Sequence, residues 1–264
     1  MRNNQENAYH ESDPSTQQLT VTEGAGLLDV EYRGEYEMCF DDRSIVTILK
    51  DLLLLLASPE VAPRLRSFTY RTDAFRAANG TYAYDIDPLI DGDQPFPNLT
   101  RLSLDQGQGE HGYKILNSPL SGDDWLEARA LARVLNKSPR LEELVTPVPP
   151  NADFFAGAQH PLRTLDVDAG FGQANFIRQL ACCSRFPELR RLVFTDLRQD
   201  YLDDWRSQTT RFEDYVSFFE SPIAYQLETI RLQEVSLRPD QIARLLNIRS
   251  VGVAFTQFVD EKKP

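Results

Sequence analysis

The stretch "FPELRRLVF", Phe186 to Phe194, sets Leu189, Leu192 and Phe194 in the spacing L-x-x-L-x-L directly behind a proline and a glutamate. The same phrase stands at "PNLTRLSL" (Leu99, Leu102, Leu104), "HPLRTLDV" (Leu162, Leu165, Val167) and "YQLETIRL" (Leu227, Ile230, Leu232). Looser copies are "PRLRSFTY" (Leu65, Phe68, Tyr70), "PRLEELVT" (Leu141, Leu144, Thr146), "NIRSVGV" (Ile248, Val251, Val253) and "GLLDVEY" (Leu27, Val30, Tyr32). A turn residue followed each time by this apolar spacing is an internal repeat, and its last positions alternate with polar ones as a strand with one buried face requires. The copies begin at 27, 65, 99, 141, 162, 189, 227 and 248, so the gaps are 38, 34, 42, 21, 27, 38 and 21 residues.

Helical patterns fill the gaps. Residues 43–57 carry Ile45, Ile48, Leu49, Leu52, Leu53 and Leu56 on one stripe; residues 123–136 carry Leu126, Ala130, Leu131, Val134 and Leu135, with Ser121 or Asp123 as cap. Phe176, Ile177 and Leu180 share a face, as do Phe212, Tyr215, Val216 and Phe219, and Thr210 with Glu213 reads as a capping box for that helix. Pro239 opens a last helix that Asn247 suits as a terminus. Strands alternating with helices predict right-handed crossovers and a parallel sheet, an α/β architecture.

The repeated phrase resembles the strand segment of leucine-rich repeat proteins, whose units run to about 20–29 residues with the consensus L-x-x-L-x-L-x-x-[NC]-x-L. The resemblance spans roughly residues 27–255, with the longer gaps as single repeats carrying insertions at 71–94, 105–121 and 197–209. At the Asn/Cys position the chain has Gly107, Pro149, Gly170, Leu197 and Val235, so it departs from the regular asparagine-ladder pattern and is similar to the irregular, ribonuclease-inhibitor-like intracellular type. The resemblance implies a curved horseshoe solenoid, with the parallel sheet on the concave face and helices on the convex face. In that organisation residues 1–18 are a disordered tail, 19–257 a single domain with 19–60 as its N-terminal cap or first repeat, and 258–264 a C-terminal tail.

Forty acidic against twenty-eight basic side chains give a net charge of -12, which disfavours nucleic acid and anionic membranes and favours a neutral or basic protein partner. The polar N-terminus lacks a secretory h-region, and the run Leu52–Ala57 is too short to span a bilayer; the expected location is cytoplasmic. Cys39, Cys182 and Cys183 form no disulfide framework or metal-ligand spacing, and the adjacent pair reads as small core residues.

Alternation sends the polar slots of each phrase to the concave face. The candidate partner-binding residues are Arg71, Arg101, Ser103, Asp105, Glu143, Asp166, Asp168, Arg191, Val193, Arg231 and Gln233, and for the last phrase Ser250, Gly252 and Ala254 are the corresponding slots. Asp196 and Asp200 fall on the rim, at the start of the acidic run "DLRQDYLDDW". The function expected is a non-enzymatic protein-protein interaction module, for example an inhibitor or immunity-like protein, with no cofactor and no metal. Two alternatives stand beside it: a hydrolase or metal-dependent enzyme built on Asp196 to Asp204 and His111, and a subunit of an assembly whose last strand, "VGVAFTQFVD", pairs with another chain.

Overall fold

In the computed structural model the described residues are 18–36, 51–75, 86, 89, 91–105, 129–146, 149–169, 175–196 and 209–257. They form an α/β fold around one nine-stranded sheet whose spatial order follows the sequence. The strands are β1 (Gln18–Gly24), β2 (Leu27–Tyr36), β3 (Leu65–Phe75), β4 (Arg101–Asp105), β5 (Glu143–Thr146), β6 (Thr164–Asp168), β7 (Arg191–Thr195), β8 (Thr229–Val235) and β9 (Val253–Gln257). β1 and β2 are an antiparallel hairpin, and every later neighbour pair is parallel. Helices α1 (Arg129–Lys137), α2 (Ala152–Phe155), α3 (Phe176–Ala181), α4 (Phe212–Phe219), α5 (Pro222–Gln226) and α6 (Pro239–Ile248) supply the crossovers, together with a helical stretch at 51–56. No helix among the described residues is long and apolar enough to cross a membrane.

The register explains why the apolar spacing recurs. Val30, Phe68, Leu102, Leu144, Leu165, Leu192, Ile230 and Val253 lie side by side along one row of the sheet. Thr146, Val167, Phe194, Leu232 and Phe255 continue the next row. The leading leucines Leu65, Leu99, Leu141, Leu162, Leu189 and Leu227 sit at the strand entrances, at most 1% exposed. Helix residues Leu131, Phe154, Phe176, Leu180, Tyr215 and Phe218 join them in one core, where Phe176 stacks on Phe194 at 5.1 Å. Truncating one such leucine to alanine costs about 2–5 kcal/mol, because neighbours fixed on both sides cannot collapse into the void.

Polar side chains just ahead of the strands reach back to main-chain carbonyls of earlier segments. Asn98 donates to the Pro63 carbonyl at 2.7 Å, and Gln226 to those of Phe186 at 2.7 Å and Leu189 at 3.3 Å. Arg64 donates to the Gly26 carbonyl, and Arg249 to those of Ala224 and Leu227. His160 meets the Ser138 carbonyl at 3.0 Å, while Arg185 satisfies the Phe154 and Ala158 carbonyls and the Asn136 amide oxygen. A buried carbonyl without a donor costs about 1–3 kcal/mol, a penalty that His160 and Arg185 relieve at the Ser138 and Phe154 carbonyls.

Several sequence expectations are corrected. The last strand copy is offset by two residues: Val253 pairs with Ile230 and Phe255 with Leu232, while Val251, read as a core position, is 79% exposed. Gly252, expected in the strand, is instead in the turn with φ +72°, and a Cβ there would stand 2.0 Å from the Glu228 carbonyl oxygen. The slots facing with Arg231 therefore start at Ala254, and Arg249 takes the position before the first slot that Asn98 and Gln226 hold in their units. Gln18 belongs to β1 rather than to a tail, and the antiparallel pairing of β1 with the strand of the first phrase is an addition to the expected parallel sheet. Thr210 does not cap α4, whose N-cap is Arg211 without a side-chain bond; the Thr210 hydroxyl donates to Asp196 instead. Cys182 is exposed and not a core residue, whereas Cys183 is half-buried and packs against the core, and α6 runs one residue past Asn247. Cys39, His111, Ser121, Asp123 and both proposed tails apart from Gln18 lie outside the described residues.

Candidate functional site

The face of the sheet opposite the apolar rows carries the alternating polar residues. One row across it reads Asp29, Ser67, Arg101, Glu143, Thr164, Arg191 and Thr229; the next reads Glu31, Thr69, Ser103, Val145, Asp166, Val193, Arg231 and Ala254. A partial third row holds Arg33, Arg71 and Asp105 at one end and Asp168, Thr195 and Gln233 at the other. The repeat register thus brings the expected residues of β3 to β8 onto one surface.

The two halves of that surface differ in how their charges are used. In the N-terminal half they neutralise one another. Asp29 accepts from Arg66 through both oxygens and from the Ser67 hydroxyl at 2.6 Å, and the Arg66 hydrogen bond holds its carboxyl below the ordinary value of 3.8 against the opposing effect of burial. Glu31 lies 3.8 Å from Arg71 and 4.0 Å from Arg33, and Arg101 lies 3.4 Å from Glu143. Arg71, Arg101 and Glu143, expected to meet a partner's charges, already face opposite charges on neighbouring strands. Exposed pairs of this kind hold weakly, with about 0.2–1 kcal/mol each, so they set orientation more than stability.

In the C-terminal half Arg191 and Arg231 are exposed, and among the described residues neither has an ion-pair or hydrogen-bond partner. Arg191 stands opposite Thr229 and Arg231 opposite Val193, so the two arginines occupy diagonal positions on adjacent strands, about 8 Å apart at Cα from the strand spacing and the two-residue rise. Val193 lies between them, 5% exposed, an apolar floor that raises the strength of any charge contact made above it. Thr195 donates its hydroxyl to the Gln233 amide oxygen at 3.0 Å and closes the far side. Two planar, bidentate donors over a neutral floor suit carboxylate groups on an approaching chain.

Asp196 is corrected from a rim contact to a buried anchor. It is 1% exposed and accepts the Thr210 N–H at 3.2 Å, the Thr210 hydroxyl at 3.2 Å and the Tyr215 hydroxyl at 2.9 Å. Burial, reinforced by the Asp196 charge, pushes the Tyr215 hydroxyl far above its ordinary value, which keeps it protonated and donating. The carboxylate therefore joins the end of β7 to the beginning of α4. Asp200, Asp203 and Asp204 lie outside the described residues, and among those described no group of three or more His, Cys, Asp or Glu side chains could hold a metal ion.

Sequence reasoning missed Asp29, Glu31 and Arg33, although "GLLDVEYR" carries the same alternation as the later phrases. It also missed Arg66, one place after the leading leucine and outside the alternating slots, whose charge turns across to Asp29 on the neighbouring strand. Comparison of the chain with protein-family models, with curated proteins and with solved structures finds no match.

Proposed function

We propose that the chain is an irregular, ribonuclease-inhibitor-like leucine-rich repeat solenoid, a curved horseshoe working as a non-enzymatic cytoplasmic module that binds a protein through its polar sheet face. The parallel, in-order strands and the recurrence of one apolar phrase on every strand from β2 to β8 support the architecture. A rigid surface of strand side chains suits a protein better than a small molecule, which prefers an enclosed apolar pocket.

The observation that carries the reading is the contrast in charge pairing. Arg191 and Arg231 stand exposed around Val193 without an ion-pair partner among the described residues, while the arginines of the N-terminal half face carboxylates of their own sheet. The partner presents carboxylates to these two arginines, yet is neutral or basic overall, because the chain's charge of -12 repels an acidic protein at longer range. Inhibition of a basic effector is the form of activity that fits this balance.

The test is affinity capture from the native host with three baits: the parent, Arg191→Glu/Arg231→Glu, and the charge swap Arg101→Glu/Glu143→Arg. The double arginine reversal is expected to lose the retained partner, and the swap, which preserves its internal pair, to keep it. An identical set of proteins on all three baits would refute the assignment of the face.

A further inference from the structure

We propose that the outer edge of β1 is a self-association site, through which two copies of this chain pair β1 to β1 in antiparallel fashion and extend the sheet across a two-fold axis. β1 stands at the end of the sheet, and among the described residues no strand pairs with its outer side. The inference is independent of the proposed partner-binding face, which lies on β3 to β8.

The hairpin geometry identifies which backbone groups are unpaired. Ala25 and Gly26 both have positive φ, 53° and 77°, the two-residue turn that joins directly paired strand ends. Gly24 and Leu27 close that turn and exchange both ladder bonds, so alternate pairs inward along the hairpin do the same: Thr22 with Asp29, Thr20 with Glu31, Gln18 with Arg33. The N–H and C=O groups of Leu19, Val21 and Glu23 consequently point away from β2, toward the open edge.

The side chains on this edge favour association. Leu19 and Val21 lie opposite Tyr32 and Val30, on the face that packs against the helices, yet they are 52% and 55% exposed where those partners are 4% exposed. β1 runs seven residues in unbroken register and contains no lysine, proline or bulge of the kinds that guard an edge. Its one charge, Glu23, is held at 2.6 Å by Arg64 of the same chain.

The strand is also complementary to itself. Antiparallel pairing centred on Thr20 sets Leu19 opposite Val21 of the other copy, Gln18 opposite Thr22, and Thr20 opposite Thr20. Apolar meets apolar on the helix side, polar meets polar on the other, and the outward groups of Leu19 and Val21 form the hydrogen-bonded pairs. Centring on Val21 would instead set Leu19 against Glu23. Such self-matching is what a two-fold interface requires. The opposite edge, β9, offers less: its pairing is irregular between Leu232 and Val235, and the Phe255 ring is stacked on Phe219 at 6.2 Å within its own chain.

The test is sedimentation velocity of the full chain over a concentration series, with circular dichroism to check each variant's fold. The parent is expected to approach twice its 30.1 kDa mass, and more so as salt screens the repulsion between two copies of charge -12. Val21→Pro removes only an outward N–H, so it should melt like the parent and associate roughly tenfold or more weakly. Thr20→Cys should form a disulfide-linked dimer on mild oxidation beyond the parent's background, since the centred residues of a non-hydrogen-bonded pair stand about 4.5 Å apart at Cα. Thr22→Cys, whose counterpart is Gln18, should not. A parent that stays monomeric at all concentrations and salts would overturn the proposal. So would a dimer that survives Val21→Pro, or equal cross-linking at Thr20 and Thr22.

Discussion

Replacing Asp196 with alanine probes whether this carboxylate holds the fold or meets a partner. In the native chain it serves Thr210 through both N–H and hydroxyl and Tyr215 through its hydroxyl, at 2.9–3.3 Å, all between buried residues. The Thr210 hydroxyl can turn toward another acceptor, but the Tyr215 hydroxyl is enclosed and the Thr210 N–H is fixed by the backbone leading into α4. Each buried donor left without an acceptor costs about 1–3 kcal/mol, so Asp196→Ala should lose about 3–5 kcal/mol. That is a large part of the roughly 5–15 kcal/mol that holds an ordinary domain together. Tyr215→Phe removes one donor and leaves the carboxylate bonded to Thr210, so its cost should be about 1–2 kcal/mol. Urea unfolding followed by circular dichroism measures both, and the double variant should cost less than the sum because the two residues share a bond. A loss below about 1 kcal/mol for Asp196→Ala, combined with weaker partner capture, would refute the anchor and restore Asp196 to the rim.

Three further expectations follow from the offset last strand and the charged row. Val253→Asp should destabilise by about 2 kcal/mol or more by placing a charge in the core row, while Val251→Asp should stay within about 0.5 kcal/mol, both read by urea unfolding; equal effects would return the register to the Ile248, Val251, Val253 alignment. Gly252→Ala should cost more than about 2 kcal/mol, since the new Cβ meets a main-chain oxygen and the residue sits in the left-handed region; a melting temperature unchanged from the parent would contradict that turn. The folded-state carboxyl of Asp29 is shifted below 3.8, so its stabilising contribution is present above that pH and fades as pH falls through the folded-state value; Asp29→Asn should flatten the acid limb of the stability curve, and an unchanged limb would count against the Arg66 contact.

How much of this was readable in the chain differs from element to element, for physical reasons. The core rows of β3 to β8 were legible because a strand that buries one face must alternate, and "FPELRRLVF" does so beside a turn marker. The last strand misled because two alignments satisfy the same spacing: Ile248, Val251, Val253 is wholly apolar, whereas the true one begins with Ser250 and hides its first position. What decides between them is tertiary: the main-chain oxygen beside Gly252 and the carbonyls that Arg249 reaches. Thr210 and Glu213 carry a local capping signature, yet a buried carboxylate fourteen positions upstream claims the threonine. Spacing within the phrase placed Arg191 and Arg231 on one face, but which arginines would be paired depended on side chains such as Asp29 and Glu143 across strand boundaries.

The side chains ahead of the strands bear on how such a chain tolerates change. Asn98, Gln226 and Arg249 address carbonyl oxygens, which every residue type possesses, rather than particular side chains of the unit before. A junction read in that way is indifferent to the composition of its neighbour and to the length of the segment between the two strands. Units could be lengthened, trimmed or exchanged without retuning the joint. Spacings as unequal as 21 and 42 residues can then share one uninterrupted sheet.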